Sequence, residues 1–404
     1  MKKDILFFPW RDWNTVILEG FARREANIIK SLEKSSQIRK ILIVNNFCSL
    51  KQEILVKKKI SKLKGTIIKD NFFYSISKIT EKIFVLNFKI VLPKSTLRIY
   101  MNFLNKYIIK SIKQSMNFIG FSSDYITWCC DLFRVKIAAK INKNFYIFDA
   151  IDNLLEHDQY KKMHKKVQQL YLYMQKKSDL IFTVSKDLKE KLFGNRKKVY
   201  YVPNGVDTSL SNKINSSLPQ DLPQNKKPII GYIGLLQERI DVKLLMYAIH
   251  NLKKFNFVFV GAEQSKNYFY DLKKLDNTYF LGAKHHSEIA QYINSFDVCI
   301  IPHKVNKFTQ SMNPLKLYEY LALSKEVVTT PVPPSQDFSD VIHIAHSKEE
   351  FADKISQAIY TPFFEFTKES IKRRMFQESW QKRVESMLEI IDKYLTFTSL
   401  PKDN

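Results

Sequence analysis

Glycine is scarce in this chain, with nine in 404 residues. Five of them, Gly205, Gly231, Gly234, Gly261 and Gly282, fall in the second half, within or just after runs that read as strands. There a missing Cβ permits tight turns and close backbone approach to a ligand. Cysteine is scarcer still, and Cys48, Cys129, Cys130 and Cys299 show no metal-ligand spacing. The adjacency of Cys129 and Cys130 argues against a disulfide framework and fits a reducing, cytoplasmic compartment. No apolar run approaches the ~20 residues that span a bilayer. The opening Met-Lys-Lys-Asp-Ile-Leu-Phe-Phe-Pro-Trp is too short and too soon interrupted for a signal peptide, and reads as a first buried strand. GxGxxG, P-loop, GxSxG, HExxH and kinase signatures are all missing. No metal site and no dinucleotide cofactor is therefore expected.

Acidic residues are short in one half only. Residues 1–204 hold 40 Lys+Arg against 17 Asp+Glu, whereas residues 205–404 hold 25 against 23. Such asymmetry points to an acidic surface as partner, either nucleic acid or anionic lipid. The densest stretch, 51–113, mixes Lys57, Lys58, Lys59, Lys62, Lys64, Lys69 and Lys78 with Phe72, Phe73 and Tyr74. Basic amphipathic segments with aromatics fit a membrane interface. No nucleic-acid-binding motif accompanies the charge, so an anionic membrane surface is the expected partner and nucleic acid is not.

What is present is an alternation of short apolar runs with helical patterns, the mark of parallel sheets covered by helices. In the first half the strand-like runs are Ile5–Phe8, Ile41–Val44, Tyr125–Trp128, Tyr146–Phe148, Leu180–Val184 and Val199–Val202. In the second they are Ile229–Ile233, Phe257–Val260, Tyr279–Leu281, Val298–Ile301, Val327–Thr330 and Val341–Ile344. Ser211–Lys227, rich in Ser, Asn, Pro and Gln, reads as a linker or long surface loop. The expected domains are 1–204, 205–376 and a closing helix, 377–404, whose apolar stripe from Trp380 to Leu395 must pack on something already folded.

The richest stretch is 309–330. A polar loop with Ser311 and Asn313 leads through Pro314 at the first helical turn into a short helix and then a buried strand. A loop feeding a helix N-terminus offers free N–H groups and a positive dipole end, which favour phosphate. Lys316 and Glu319, three apart, share one face near that end. A cation for phosphate beside a carboxylate for hydroxyls suggests a sugar nucleotide. Gly231-Tyr-Ile-Gly234-Leu-Leu-Gln-Glu-Arg239 is a strand–glycine turn–helix unit, placing Arg239 where it could clamp a diphosphate. His303 closes the strand Val298–Ile301 directly before the 309–330 block. In the first half Asp149 and Asp152 end a strand, as bases, hydroxyl binders or helix caps. His285–His286 lacks any partner at metal spacing.

These stretches together resemble the GT-B glycosyltransferases, specifically family-4-like enzymes related to teichuronic-acid and other surface-polysaccharide transferases. The residues that carry the resemblance are Ser178–Ser185, Val202–Asp207, Pro228–Asp241, Phe257–Ala262, Phe280–Gly282, Asp297–His303, Asn313–Ala322 and Trp380–Arg383. It implies an α/β chain of two Rossmann-like, doubly wound domains facing a cleft, with the last helix crossing back to the first domain. It further implies a nucleotide-diphospho-sugar donor on the second domain and a glycan or lipid-linked acceptor on the first. Glu319 matches the second glutamate of the family's E-x7-E pattern, expected to hold ribose hydroxyls, and Arg239 matches its diphosphate-binding lysine. Ser311 stands where the first glutamate is expected, and Leu235 where the family has an arginine. The implied role is a sugar transferase of surface-glycan synthesis, peripheral on the inner face of the membrane. A sugar-nucleotide 2-epimerase of the same fold and a non-catalytic basic binding protein are the alternatives.

Overall fold

The computed structural model describes residues 2–20, 23–46, 65–89, 101–141, 144–194, 196, 198–214, 217–265, 267–362 and 364–399. The lysines 57, 58, 59, 62 and 64 of the basic stretch, and Cys48, lie outside them. The chain divides into two compact units. The first comprises Met1–Thr183, Leu188–Tyr201 and Leu388–Asn404; the second comprises Val184–Asp187 and Val202–Met387.

In the first unit, strands β1 (Lys3–Phe8), β2 (Ile38–Val44), β3 (Thr66–Asp70), β4 (Tyr74–Lys78), β5 (Ile83–Phe88), β6 (Ile126–Cys129), β7 (Phe145–Ala150), β8 (Leu180–Thr183) and β9 (Val199–Tyr201) form one sheet. Its order is β3-β4-β5-β2-β1-β6-β7-β8-β9. All pairings are parallel except β3 with β4 and β4 with β5. Helices α1 (Trp13–Leu18), α2 (Arg24–Lys34), α3 (Met101–Phe118), α4 (Val135–Ile141) and α5 (His164–Lys177) are interleaved with the strands. Ile5, Leu6, Phe7 and Phe8 of β1 are all buried, as a central strand covered on both faces requires. Trp128 anchors one face, with its ring 5.9 Å from Phe7 and 5.6 Å from Phe182.

The second unit holds an all-parallel sheet of β10 (Ile229–Ile233), β11 (Asn256–Val260), β12 (Thr278–Gly282), β13 (Val298–Ile301), β14 (Glu326–Thr329) and β15 (His343–Ile344). Their order is β12-β11-β10-β13-β14-β15. Counted from β10, this is the doubly wound order 3-2-1-4-5-6. Its helices are α6 (Val242–Asn251), α7 (His286–Asn294), α8 (Lys307–Gln310), α9 (Leu315–Ala322), α10 (Lys348–Tyr360) and α11 (Phe364–Gln377). The segment after Asp207 is a surface loop pinned by its buried Leu210 and Leu222 and by Asp221, which accepts from Tyr292 Oη at 2.8 Å.

The closing helix α12 (Trp380–Ser399) gives residues up to Met387 to the second unit and the remainder to the first. Among the described residues no helix is long and apolar enough to cross a membrane.

The doubly wound order puts a strand-order reversal between β10 and β13, where the loops leaving the two strands diverge and open a crevice. In the first unit the equivalent reversal lies between β1 and β6. Ligands of doubly wound sheets bind at the carboxyl ends of such strands.

Candidate functional site

The second unit's reversal point gathers residues far apart in the chain. Strand β10 delivers Tyr232 and Gly234. The short bridge Ile240↔His303 ties the loop after β10 to the end of β13, and Lys304 N donates to Arg239 O at 2.8 Å. This pairing sets Arg239 beside His303. Helix α9 then brings Lys316 onto the same spot. Gly234 has φ +133°, and a Cβ there would meet Lys316 Nζ at 3.0 Å, so glycine makes room for the ammonium. Lys316 Nζ donates to Tyr232 Oη at 2.5 Å and sits 3.8 Å from the centre of its ring. A desolvated cation over an aromatic face is favourable.

The electrostatics are one-sided. Lys316 is buried, and its ammonium is held well below the usual lysine value, first by burial and then by the Arg239 guanidinium; Glu319 acts in the opposite sense. His303, 1% exposed, is held well below the usual histidine value by burial, then by Lys316 and Arg239. Its ring stands edge-on to Tyr232 at 6.3 Å, and neither ring nitrogen has a hydrogen-bond partner among the described residues. Three nitrogen groups thus crowd one point, and each raises the cost of charging the others. An anion there relieves all three.

Glu319, one turn along α9, is half-buried and meets His286 Nε2 at 3.1 Å. His286 opens helix α7, whose N-terminus carries a capping box between His285 and Glu288. The other expected residues are structural in their contacts. Ser311 Oγ donates to Phe308 O at 2.7 Å, and Ser311 O accepts from Ser185 Oγ at 2.8 Å. Asn313 Oδ1 accepts from Asn204 N at 3.0 Å, and Asn313 O accepts from Asn204 Nδ2 at 2.6 Å. Pro314 caps α9 from outside instead of occupying its first turn, with no side-chain cap bond to the first N–H groups.

In the first unit the two carboxylates part company. Asp149 is fully buried and takes a forked contact from Arg24 at 3.0–3.2 Å, so it is the counter-charge of α2. Asp152 lines a crevice at the β1/β6 reversal, together with Trp10, Cys130, Leu132, Phe148, Leu154 and Tyr171.

Residues 227–360 match the family described as Glycosyl transferases group 1. That stretch is similar to a group 1 glycosyltransferase domain. Over 151 residues the chain is 30% identical to TuaH of Bacillus subtilis (strain 168), which carries the name teichuronic acid biosynthesis glycosyltransferase. That match spans 37% of this chain and 38% of the relative. Solved structures extend the likeness to nearly every residue. Anabaena Alr3699/HepE, solved with UDP and glucose, superposes with TM-score 0.63 at 14% identity, covering 98% of this chain and 99% of its own. A UDP-forming α,α-trehalose-phosphate synthase from Burkholderia vietnamiensis gives TM-score 0.70 at 9% identity over 97% and 99%. A glycosyltransferase from Rickettsia africae ESF-5 gives 0.60 at 16% over both full lengths. The fold is GT-B.

Gly234, Arg239, His303, Lys316 and Glu319 all lie inside the matched stretch, 227–360. Tyr232 and His286 join them there, although neither is singled out by sequence spacing. Tyr232 stands in plain view between Gly231 and Ile233, but its role needs a partner 84 residues away. His286 presents as a metal ligand without companions until Glu319 appears beside it.

Proposed function

We propose that the protein is a glycosyltransferase moving a sugar from a nucleotide-diphospho-sugar to a glycan or lipid-linked acceptor in cell-surface polysaccharide synthesis. What carries the reading is the convergence of Arg239, Lys316 and His303 around Tyr232 at a strand-order reversal, with a carboxylate one turn further on. The cations take the diphosphate, and Glu319, steadied by His286, takes the ribose hydroxyls. As the glycosidic bond breaks, negative charge grows on the leaving diphosphate. Preorganised cations and helix N–H groups in a water-poor site stabilise that charge more than they stabilise the ground state. Ser311 replaces an expected acid, so the donor sugar is held by other groups. In the first unit Asp152 lines the crevice and is the carboxylate we assign to an acceptor hydroxyl, whereas Asp149 is buried against Arg24. The HepE and trehalose-phosphate synthase likenesses favour a uridine diphosphate donor. The basic first half supports work at an anionic membrane surface.

Incubation with labelled UDP- and GDP-sugars plus a bacterial lipid extract tests the activity. Release of nucleoside diphosphate with label in the lipid fraction is the expected outcome. Donor returned as an epimer, or unchanged with every sugar, contradicts it.

A further inference from the structure

The antiparallel corner of the first unit belongs to neither ligand crevice. Strand β3 is the outermost strand of its sheet, joined to β4 by a turn at Asn71–Phe73. Phe72 at that turn is 86% exposed, Phe73 48% and Ile67 on β3 60%. Phe118, ending α3, is 47% exposed. Soluble surfaces seldom gather large apolar side chains in this way without a partner for them.

The turn is not a loose end. Asn71 Oδ1 accepts from Phe73 N at 2.9 Å and Tyr74 N at 2.8 Å. Phe73 O accepts from Lys89 N at 2.8 Å and from Tyr107 Oη at 2.6 Å. The two rings are therefore held out, edge-to-face, at 5.3 Å.

Around them the charge is of one sign. Residues 65–89 and 101–118 contain seven lysines, two carboxylates and no arginine. Both carboxylates are already matched, Asp70 by Lys89 and Glu81 by Lys78. Lys106, Lys110 and Lys113 line the exposed side of α3 at i, i+4, i+7. Lys69 reaches over the Phe118 ring at 4.5 Å.

We propose that this corner is the membrane-docking element, with Phe72 and Phe73 entering the headgroup–acyl boundary and the lysines lying on anionic headgroups. It rests on the membrane reading above and assigns it to one hairpin. Protruding rings suit a fluid apolar layer, which needs no pre-shaped groove to receive them. Exposed lysines suit diffuse headgroup charge, whereas bidentate recognition of nucleic-acid phosphates or bases favours arginine.

Vesicle flotation with the full chain tests this, using phosphatidylcholine alone and an equal mixture with phosphatidylglycerol. Wild type is expected to float with the anionic vesicles. Phe72→Ser should lower partitioning by roughly ten-fold, the value of burying one phenylalanine ring. Lys110→Glu with Lys113→Glu should lose at least about ten-fold on anionic vesicles and little on neutral ones. Phe72 is largely exposed, so circular dichroism should be unchanged. Phe72→Trp should fluoresce at shorter wavelength on vesicles. Wild type that floats while Phe72→Ser floats equally well overturns the hairpin assignment and leaves the membrane reading intact. Wild type that ignores vesicles, or binds duplex DNA in their place, overturns both.

Discussion

Lys316 and His303 are ionisable groups buried beside a guanidinium, and both lie below their usual values for that reason. For a base, a folded value below the unfolded one means the folded state binds fewer protons. Each group therefore costs stability at pH below its unfolded value, and the cost fades as pH rises toward that value, about 10.4 for lysine and 6.5 for histidine. A diphosphate arriving beside Lys316 reverses the balance and draws a proton in. Nucleoside diphosphate binding at pH below the unfolded lysine value is accordingly expected to take up protons. Calorimetry in two buffers of different ionisation enthalpy reads the uptake directly. Lys316→Met should remove most of it, and heats that do not depend on the buffer would contradict the assignment of Lys316 to phosphate. At the same scale, Asp149 shows how a strand-end carboxylate can mislead. Its partner Arg24 lies 125 residues away, and spacing gave no sign of it.

At the scale of elements, the floor of the second-unit crevice is built by glycines at the ends of adjacent strands. Gly234 N donates to Val260 O at 2.9 Å, and Gly261 N donates to Gly282 O at 2.8 Å. Gly261 has φ +155°, and a Cβ there would lie 1.9 Å from Gly234 O. A backbone oxygen cannot swing aside as a side chain can, so β10 and β11 would have to separate. Gly261→Ala is expected to cost about 2–4 kcal/mol, from overpacking plus backbone strain. A lowered midpoint in urea unfolding together with weaker nucleotide binding checks it; wild-type stability would refute the close approach. Nine of the twelve strands at the apolar runs are inner parallel strands, legible in the sequence because burial on both faces makes them unbroken hydrophobic stretches; β9, β12 and β15 are edges, read from their apolar residues alone. Strands β3 and β4 were hidden for the opposite reason, whereas β5, buried from Ile83 to Leu86, is an apolar run obscured by the lysines around it. Thr66–Asp70 is exposed or half-exposed throughout, and Tyr74–Lys78 alternates buried with half-exposed positions among lysines. They read as a basic segment, not as the edge of a sheet.

Across the whole molecule, charge and chemistry are divided between the units. The first carries the basic excess and an acidic crevice residue, Asp152; the second carries the cationic crevice and the stretch that matches group 1 glycosyltransferases. Gly234, Arg239, His303, Lys316 and Glu319 could be found from sequence because they sit at strand ends or on one helix face. Tyr232 and His286 could not, since their contacts close only when β10, α7 and α9 are packed. The central claim is that this second-unit crevice binds a nucleoside diphosphate through those residues. Titration with UDP and GDP, wild type against Glu319→Ala, tests it most directly. At least one diphosphate should bind, and the variant should weaken it by roughly 10–100-fold, the value of charge-assisted bonds to the ribose. No binding of either diphosphate, or equal affinity in the variant, would contradict the account.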